Sequence, residues 1–234
     1  SSDVCSSDLT APFTDPVITR SEPYADKVSL LLHMNGTNGS TVITDSSPNA
    51  LRVDALGGAQ ISTAQSKFGG SSVYFNGASS VLEFFPGSSM VFGGESFTVE
   101  AWIRLETLSS SWYLVDARNT GQTSNWAILY SSGGLDWFNG STETIRTWNP
   151  VANTWYHVAF VRTYASCQFY IDGVPLGAPI NDTTTFTVAP TASYIGSRFN
   201  GTERFQGYMD EFRITKGARY PENFTPPTTA HLTP

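Results

Sequence analysis

The stretch Phe97–Leu105, FTVEAWIRL, places Phe97, Val99, Ala101, Ile103 and Leu105 on one face of an extended chain and Thr98, Glu100, Trp102 and Arg104 on the other. Successive side chains of a strand point to opposite faces, so this alternation calls for a sheet with one face against a core. Further strand-like runs are expected at 28–34, 71–76, 81–85, 112–117, 126–130, 135–138, 143–147, 155–162, 167–171, 193–196 and 207–214. Turn chemistry separates them, with Asn35-Gly36, Asn38-Gly39, Asn139-Gly140 and Asp172-Gly173 as clear signals. No ten-residue segment carries a helical apolar period, and a single helical turn is expected near 64–67. Many short strands without intervening helices imply an all-β fold, an antiparallel sandwich or barrel.

A chain of 234 residues can bury a real core in one such domain. Its net charge of −7, with three lysines, argues against a nucleic-acid partner or an anionic membrane surface. No apolar run approaches a membrane span, so no membrane insertion is expected, and no signal peptide is visible. Residues 1–9, SSDVCSSDL, resemble the conceptual translation of a sequencing-library adapter and are set aside as an artefact that leaves the true N-terminus unknown. Residues 10–21 read as a linker, 22–220 as the β-sandwich and 221–234 as a C-terminal tail. Cys5 falls in the adapter-like string, and Cys167 alternates with Phe169 and Ile171 as a small buried apolar residue.

The run 205–214, FQGYMDEFRI, carries the first candidate for function. By strand parity Tyr208, Asp210, Phe212 and Ile214 share one face, and Met209, Glu211 and Arg213 share the other. Phe212 and Ile214 are the natural core pair, so Asp210 is expected to point inward. A buried carboxylate must be neutralised, hydrogen-bonded or bound to a cation. Glu211 is expected on the outer face as a solvated partner of Arg213.

Other chemistry is sparse. His33, His157 and His231 share no spacing that suggests zinc. There is no nucleophile-elbow pattern and no phosphate-cradling glycine loop. Trp112, Trp137 and Trp148 lie beside turns and are candidates to stack on a pyranose ring; core packing is the alternative for each. Asn125, Asn139 and Arg198 could add hydrogen bonds at the same rim. Trp102 and Trp155 are expected to pack between sheet and loop.

The ordered strings LLLHMNG, TDSSPNA, KFGGSSVYFNG, FTVEAWIRL, NTWYHVAFVR, QFYIDGVPLG, YIGSRFNG and FQGYMDEFRI resemble the laminin-G-like jelly rolls of the concanavalin A-like lectin/glucanase superfamily. The likeness covers about residues 26–216. The opening PYADKVSLLLHMNG and the tail RITKGARYPENFTPPTTA are similar to copies of this domain in phage tail-fibre and virion-associated proteins. The resemblance implies a two-sheet jelly roll that binds a glycan or a host-cell surface, in an extracellular or virion protein that could be trimeric. It also implies a structural calcium ion held by Asp45 and Asp210, with Asn35 where relatives often carry Asp, and carbonyls near Asn76 and Gly77 completing the shell. The alternatives are that Asp45 makes an Asx turn over Ser47 and that Asp210 accepts backbone N–H groups from a loop. Relatives that hydrolyse β-glucans carry Glu-x-Asp-x-x-Glu on one strand, a pattern absent here, where Glu100 stands alone. A binding module without catalysis is therefore expected, with a purely structural fibre module or a divergent glycoside hydrolase as the alternatives.

Overall fold

The computed structural model describes residues 22–108, 111–118 and 125–234. The expectations for residues 1–9, the 10–21 linker and Cys5 lie outside the described residues. In chain order the strands are β1 (Val28–Leu32), β2 (Val53–Leu56), β3 (Gln60–Ser62), β4 (Ser72–Asn76), β5 (Val81–Phe84), β6 (Phe97–Leu105), β7 (Trp112–Asp116) and β8 (Ala127–Ser131). They continue as β9 (Gly134–Phe138), β10 (Glu143–Thr147), β11 (Trp155–Thr163), β12 (Ser166–Ile171), β13 (Val174–Pro175), β14 (Ile180–Asn181), β15 (Ser193–Ile195) and β16 (Gln206–Thr215). The turn expected at 64–67 is a set of bends, and two short 3-10 turns form instead at Ala25–Lys27 and Gly87–Met90.

The strands make two antiparallel sheets. One follows the order β13-β12-β11-β6-β16-β4-β3, with β1 also on β16 and β14 on β12; the other runs β10-β9-β8-β7-β15-β5-β2. The core lies between them. The inward face of β6 (Phe97, Val99, Ala101, Ile103, Leu105) meets Trp112, Leu114, Ile128, Leu135 and Trp137 from the facing sheet. Aromatic rings dominate this contact, and Phe160 stacks on Trp137 with centroids 4.3 Å apart. Cys167 is fully buried and its thiol is pushed up to about 12, chiefly by burial. It therefore serves as a small apolar filler.

Strand β16 organises the larger sheet. One of its edges pairs with β6 throughout; the other pairs with β4 over Gln206–Met209 and then with β1 from Phe212 onward. Asp210 and Glu211 fall in the gap between those two partners. There β16 carries a bulge: Asp210 faces Trp102 and Arg213 faces Glu100, so three steps on β16 match two on β6. Glu211 takes a left-handed backbone, φ 51°, to accommodate the extra residue.

Candidate functional site

The bulge overturns the parity argument for Asp210. Residues directly opposite on paired strands share a face, and Asp210 opposes Trp102, on the face of β6 away from the core. It is nonetheless fully buried, because the 67–68 loop folds over it: the backbone N–H groups of Lys67 and Phe68 donate to Oδ2 at 2.7 and 3.0 Å. Oδ1 is buried without a partner. Burial raises the carboxyl, only partly offset by the two N–H bonds, to about 7. Glu211 is likewise buried and does not pair with Arg213. It accepts from His33 Nδ1 at 3.0 Å and from the backbone N–H of His231 at 2.9 Å.

Arg213 instead joins a buried polar layer on the same outer face. Its Nε donates to Glu100 Oε1 at 2.9 Å and its Nη1 to Glu22 Oε2 at 3.1 Å, while Tyr220 donates to Glu100 Oε2 at 2.8 Å. Arg219 closes the ring on Glu22, and His157 Nε2 lies 3.2 Å from Glu100. Glu100, read from sequence as standing alone, is thus the hub. Burial pushes its carboxyl up, but Arg213, His231 and His157 outweigh that and hold it well below the usual range. His231 goes the other way, lowered mainly by burial to about 3, so it packs as a neutral ring. Three histidines with unrelated spacing therefore converge on one surface, yet among the described residues no group of three or more His, Cys, Asp or Glu side chains could hold a metal.

What covers this layer is the chain's own C-terminal segment, which crosses the sheet as a strap. Phe224 stacks on Tyr220 with centroids 3.7 Å apart, and both pack against the outer apolar cluster Ala159, Val161 and Tyr170. At Gly173 the strap backbone comes so close that a Cβ there would lie 1.7 Å from the Phe224 carbonyl oxygen. Further along, the hydroxyl of Thr233 is 3.2 Å from His33 Nε2.

The proposed calcium ligands do not converge. Asp45 Oδ1 accepts from the N–H groups of Leu31 and Ser47, and Oδ2 from the Ser47 hydroxyl and the Leu51 N–H. A carboxylate has about four lone-pair sites, so this side chain is saturated. Asn76 and Gly77 do not fit beside Asp210 either. Asn76 pairs with Gln206, four residues along β16 from Asp210, a separation of roughly 13 Å at strand rise. Ligands of one calcium ion sit at about 2.3–2.6 Å from it. Asn76 in fact caps its own turn, its Oδ1 accepting from Ala78, Ser79 and Ser80. Asn35 lies against Gly69 in the loop that binds Asp210, where a Cβ on the glycine would fall 2.0 Å from its Oδ1.

The three tryptophans put forward as sugar platforms are also placed differently. Trp112 (2% exposed) and Trp137 (1%) sit in the inter-sheet core, Trp112 stacked on Tyr130 and Trp137 donating its Nε1 to Asp182. Trp148 is buried edge-on against Tyr156. Asn125 is buried, Asn139 caps the turn to Thr142, and Arg198 pairs with Glu203 at 2.8 Å. The three tryptophans thus present no exposed face, while Asn139 and Arg198 adjoin Phe138 and Phe199, which share Arg118.

Trp102 packs between sheet and loop as expected, 5% exposed beneath Lys67 and Phe68, and the aromatic surface that remains is that of the partly exposed Phe68 and Trp155 beside the strap. A groove of ≈ 530 Å³ is lined by Lys67, Phe68, Trp102, Trp155, Asp172 and the strap residues Thr225, Pro226, Pro227 and Thr228. Lys67 Nζ sits 3.7 Å from the Trp102 ring centroid, and Phe68 meets the same ring edge-on at 6.0 Å. Aromatic faces flanked by a cation, a carboxylate and two hydroxyls can hold a ligand that has both apolar and hydroxyl-bearing surfaces. The missed signal was long-range: the 225–228 segment is over fifty residues from β11, and nothing local marks it as the groove's second wall.

Two facing antiparallel sheets in this order, with a groove on the outer face of one, define a jelly-roll sandwich. Residues 76–223 match the family described as the concanavalin A-like lectin/glucanases superfamily, and the chain belongs to it. Among solved structures it is similar to the binding domain of Paraclostridial Mosquitocidal Protein 1, at 20% identity and a TM-score of 0.64 over 83% of this chain and 50% of that one. It is also similar to the receptor binding domain of botulinum neurotoxin C/D mosaic serotype, at 14% identity and a TM-score of 0.63 over 83% and 49%. A third structure, whose title states that cell entry of botulinum neurotoxin type C depends on interaction with two ganglioside molecules, matches at 15% identity and a TM-score of 0.62 over 83% and 49%. The chain thus spans about half the length of these toxin chains, and the likeness is one of fold. No curated protein sequence matches the chain.

Proposed function

We propose that the chain is a non-catalytic carbohydrate-recognition module of a larger extracellular or virion protein, and that it binds cell-surface glycan in the Trp102–Trp155 groove. The observation that carries this reading is the pairing of the partly exposed Phe68 and Trp155, set over the buried Trp102, with Lys67, Asp172, Thr225 and Thr228 around a cleft of ≈ 530 Å³. A pyranose offers an apolar C–H face to an aromatic ring and hydroxyls to polar groups at the rim, and the volume suits one or two sugar rings. The family supports the reading, as do similar solved structures titled as receptor-binding or binding domains. The acids that a hydrolase would use are tied up elsewhere: Glu100 is buried against Arg213 and Tyr220, and Asp210 under the 67–68 loop.

A glycan array probed with the chain and with Trp155→Ala tests this. Binding to a defined set of glycans that falls at least tenfold in the variant is expected. No glycan bound, or binding indifferent to Trp155, would sink the proposal.

A further inference from the structure

The chain has only three lysines against a net charge of −7. Lys67 lines the groove just described. The other two, Lys27 and Lys216, come together at a separate cleft of ≈ 650 Å³. They are brought side by side where β1 meets the end of β16, the Lys216 N–H donating to the Lys27 carbonyl at 2.8 Å. Among the described residues neither forms an ion pair; Lys216 Nζ reaches only the Ser88 carbonyl, at 3.4 Å. The one acid lining the cleft is Glu95.

Two tyrosines flank these amines. Tyr24 is held by its hydroxyl, which donates to the Ala218 carbonyl at 3.1 Å, and by the Arg219 guanidinium 4.9 Å from its ring centroid. Tyr164 stands at the tip of the β11–β12 hairpin, 66% exposed, with a left-handed φ of 52°. The left-handed backbone is what the two-residue turn between β11 and β12 requires, and it holds the Tyr164 ring out at the tip.

We infer that this cleft is a second binding site, for a sugar ring bearing a carboxylate. The Lys27 and Lys216 amines offer donors that one carboxylate can share, while Glu95 in the cleft and Asp26 beside Lys27 disfavour a phosphate dianion. The exposed Tyr164 ring supplies what a sugar ring's apolar side requires, and Tyr24 and Val91 add to the lining. The inference shares the carbohydrate-binding reading but uses none of the residues of the tryptophan groove.

The test is NMR titration of the full chain with N-acetylneuraminic acid, glucuronic acid and, as the neutral control, glucose. The expected result is millimolar-range binding of at least one acidic sugar, weakened by salt, and no binding of glucose at this cleft. Lys27→Ala combined with Lys216→Ala should weaken that binding at least tenfold, and Trp155→Ala should leave it unchanged. Should the double variant fail to fold, Tyr164→Ala, at an exposed hairpin tip, carries the test with the same expected loss. Failure of both acidic sugars to bind, glucose binding equally well, or binding untouched by the lysine and tyrosine variants would overturn the inference. Loss in Trp155→Ala alone would return the ligand to the tryptophan groove.

Discussion

At the scale of single residues, Asp210 shows how one backbone irregularity redirects a side chain. Its folded-state carboxyl is raised from 3.8 to about 7, mainly by burial, so between those values the folded chain keeps a proton that the unfolded chain has released. This contribution to stability is level below about pH 4, falls as pH rises toward 7, and is level again above. Asp210→Asn removes the titration while keeping an oxygen for the Lys67 and Phe68 N–H groups. Urea unfolding should therefore show the variant gaining on the parent by on the order of 3 kcal/mol between pH 4 and pH 8. A pH-independent difference would show that Asp210 ionises freely in the folded chain. The need of this buried acid for a partner was legible in the sequence; its direction was not, because a non-glycine bulge at Glu211 leaves no local mark. Trp137 is the opposite case. It alternates with Leu135, a core residue, so its inward parity was there to be read.

Among the elements, the strands were legible because alternation and Asn-Gly or Asp-Gly turns are local signals, and β6, β11, β12 and β16 fall close to where the pattern puts them. The short strands β2, β3, β13 and β14 were not, since each carries a single β-branched or aromatic residue, whereas β5 and β15, similarly short, carry two. The strap was read only as a tail: its anchors are a buried charge ring and a stacked Tyr220–Phe224 pair assembled from distant segments. Gly173 links strap and hairpin, with φ 79° and the Phe224 carbonyl directly above it. Gly173→Ala should both strain the turn, by about 1 kcal/mol, and lift the strap. Hydrogen exchange should then accelerate in 220–233 ahead of the sheet. Unchanged exchange there would mean the strap is held without this contact.

For the whole molecule, the sandwich joins both ends of its described chain to one sheet face through Glu22, Arg213, Glu100 and Tyr220. With Asp45 saturated by four donors and Asn76 capping its own turn, melting in calcium and in chelator should agree within about a degree. A shift of several degrees would reveal an ion that these residues do not account for. The strap also builds the second wall of the tryptophan groove, so fold closure and the proposed binding site share one element. The most direct measurement of that claim is hydrogen exchange with the strongest array glycan bound. Protection is expected at 67–68 and across 225–228, with the β7–β10 face unchanged. Protection confined to that opposite sheet, with the strap and the 67–68 loop unaffected, would contradict the account.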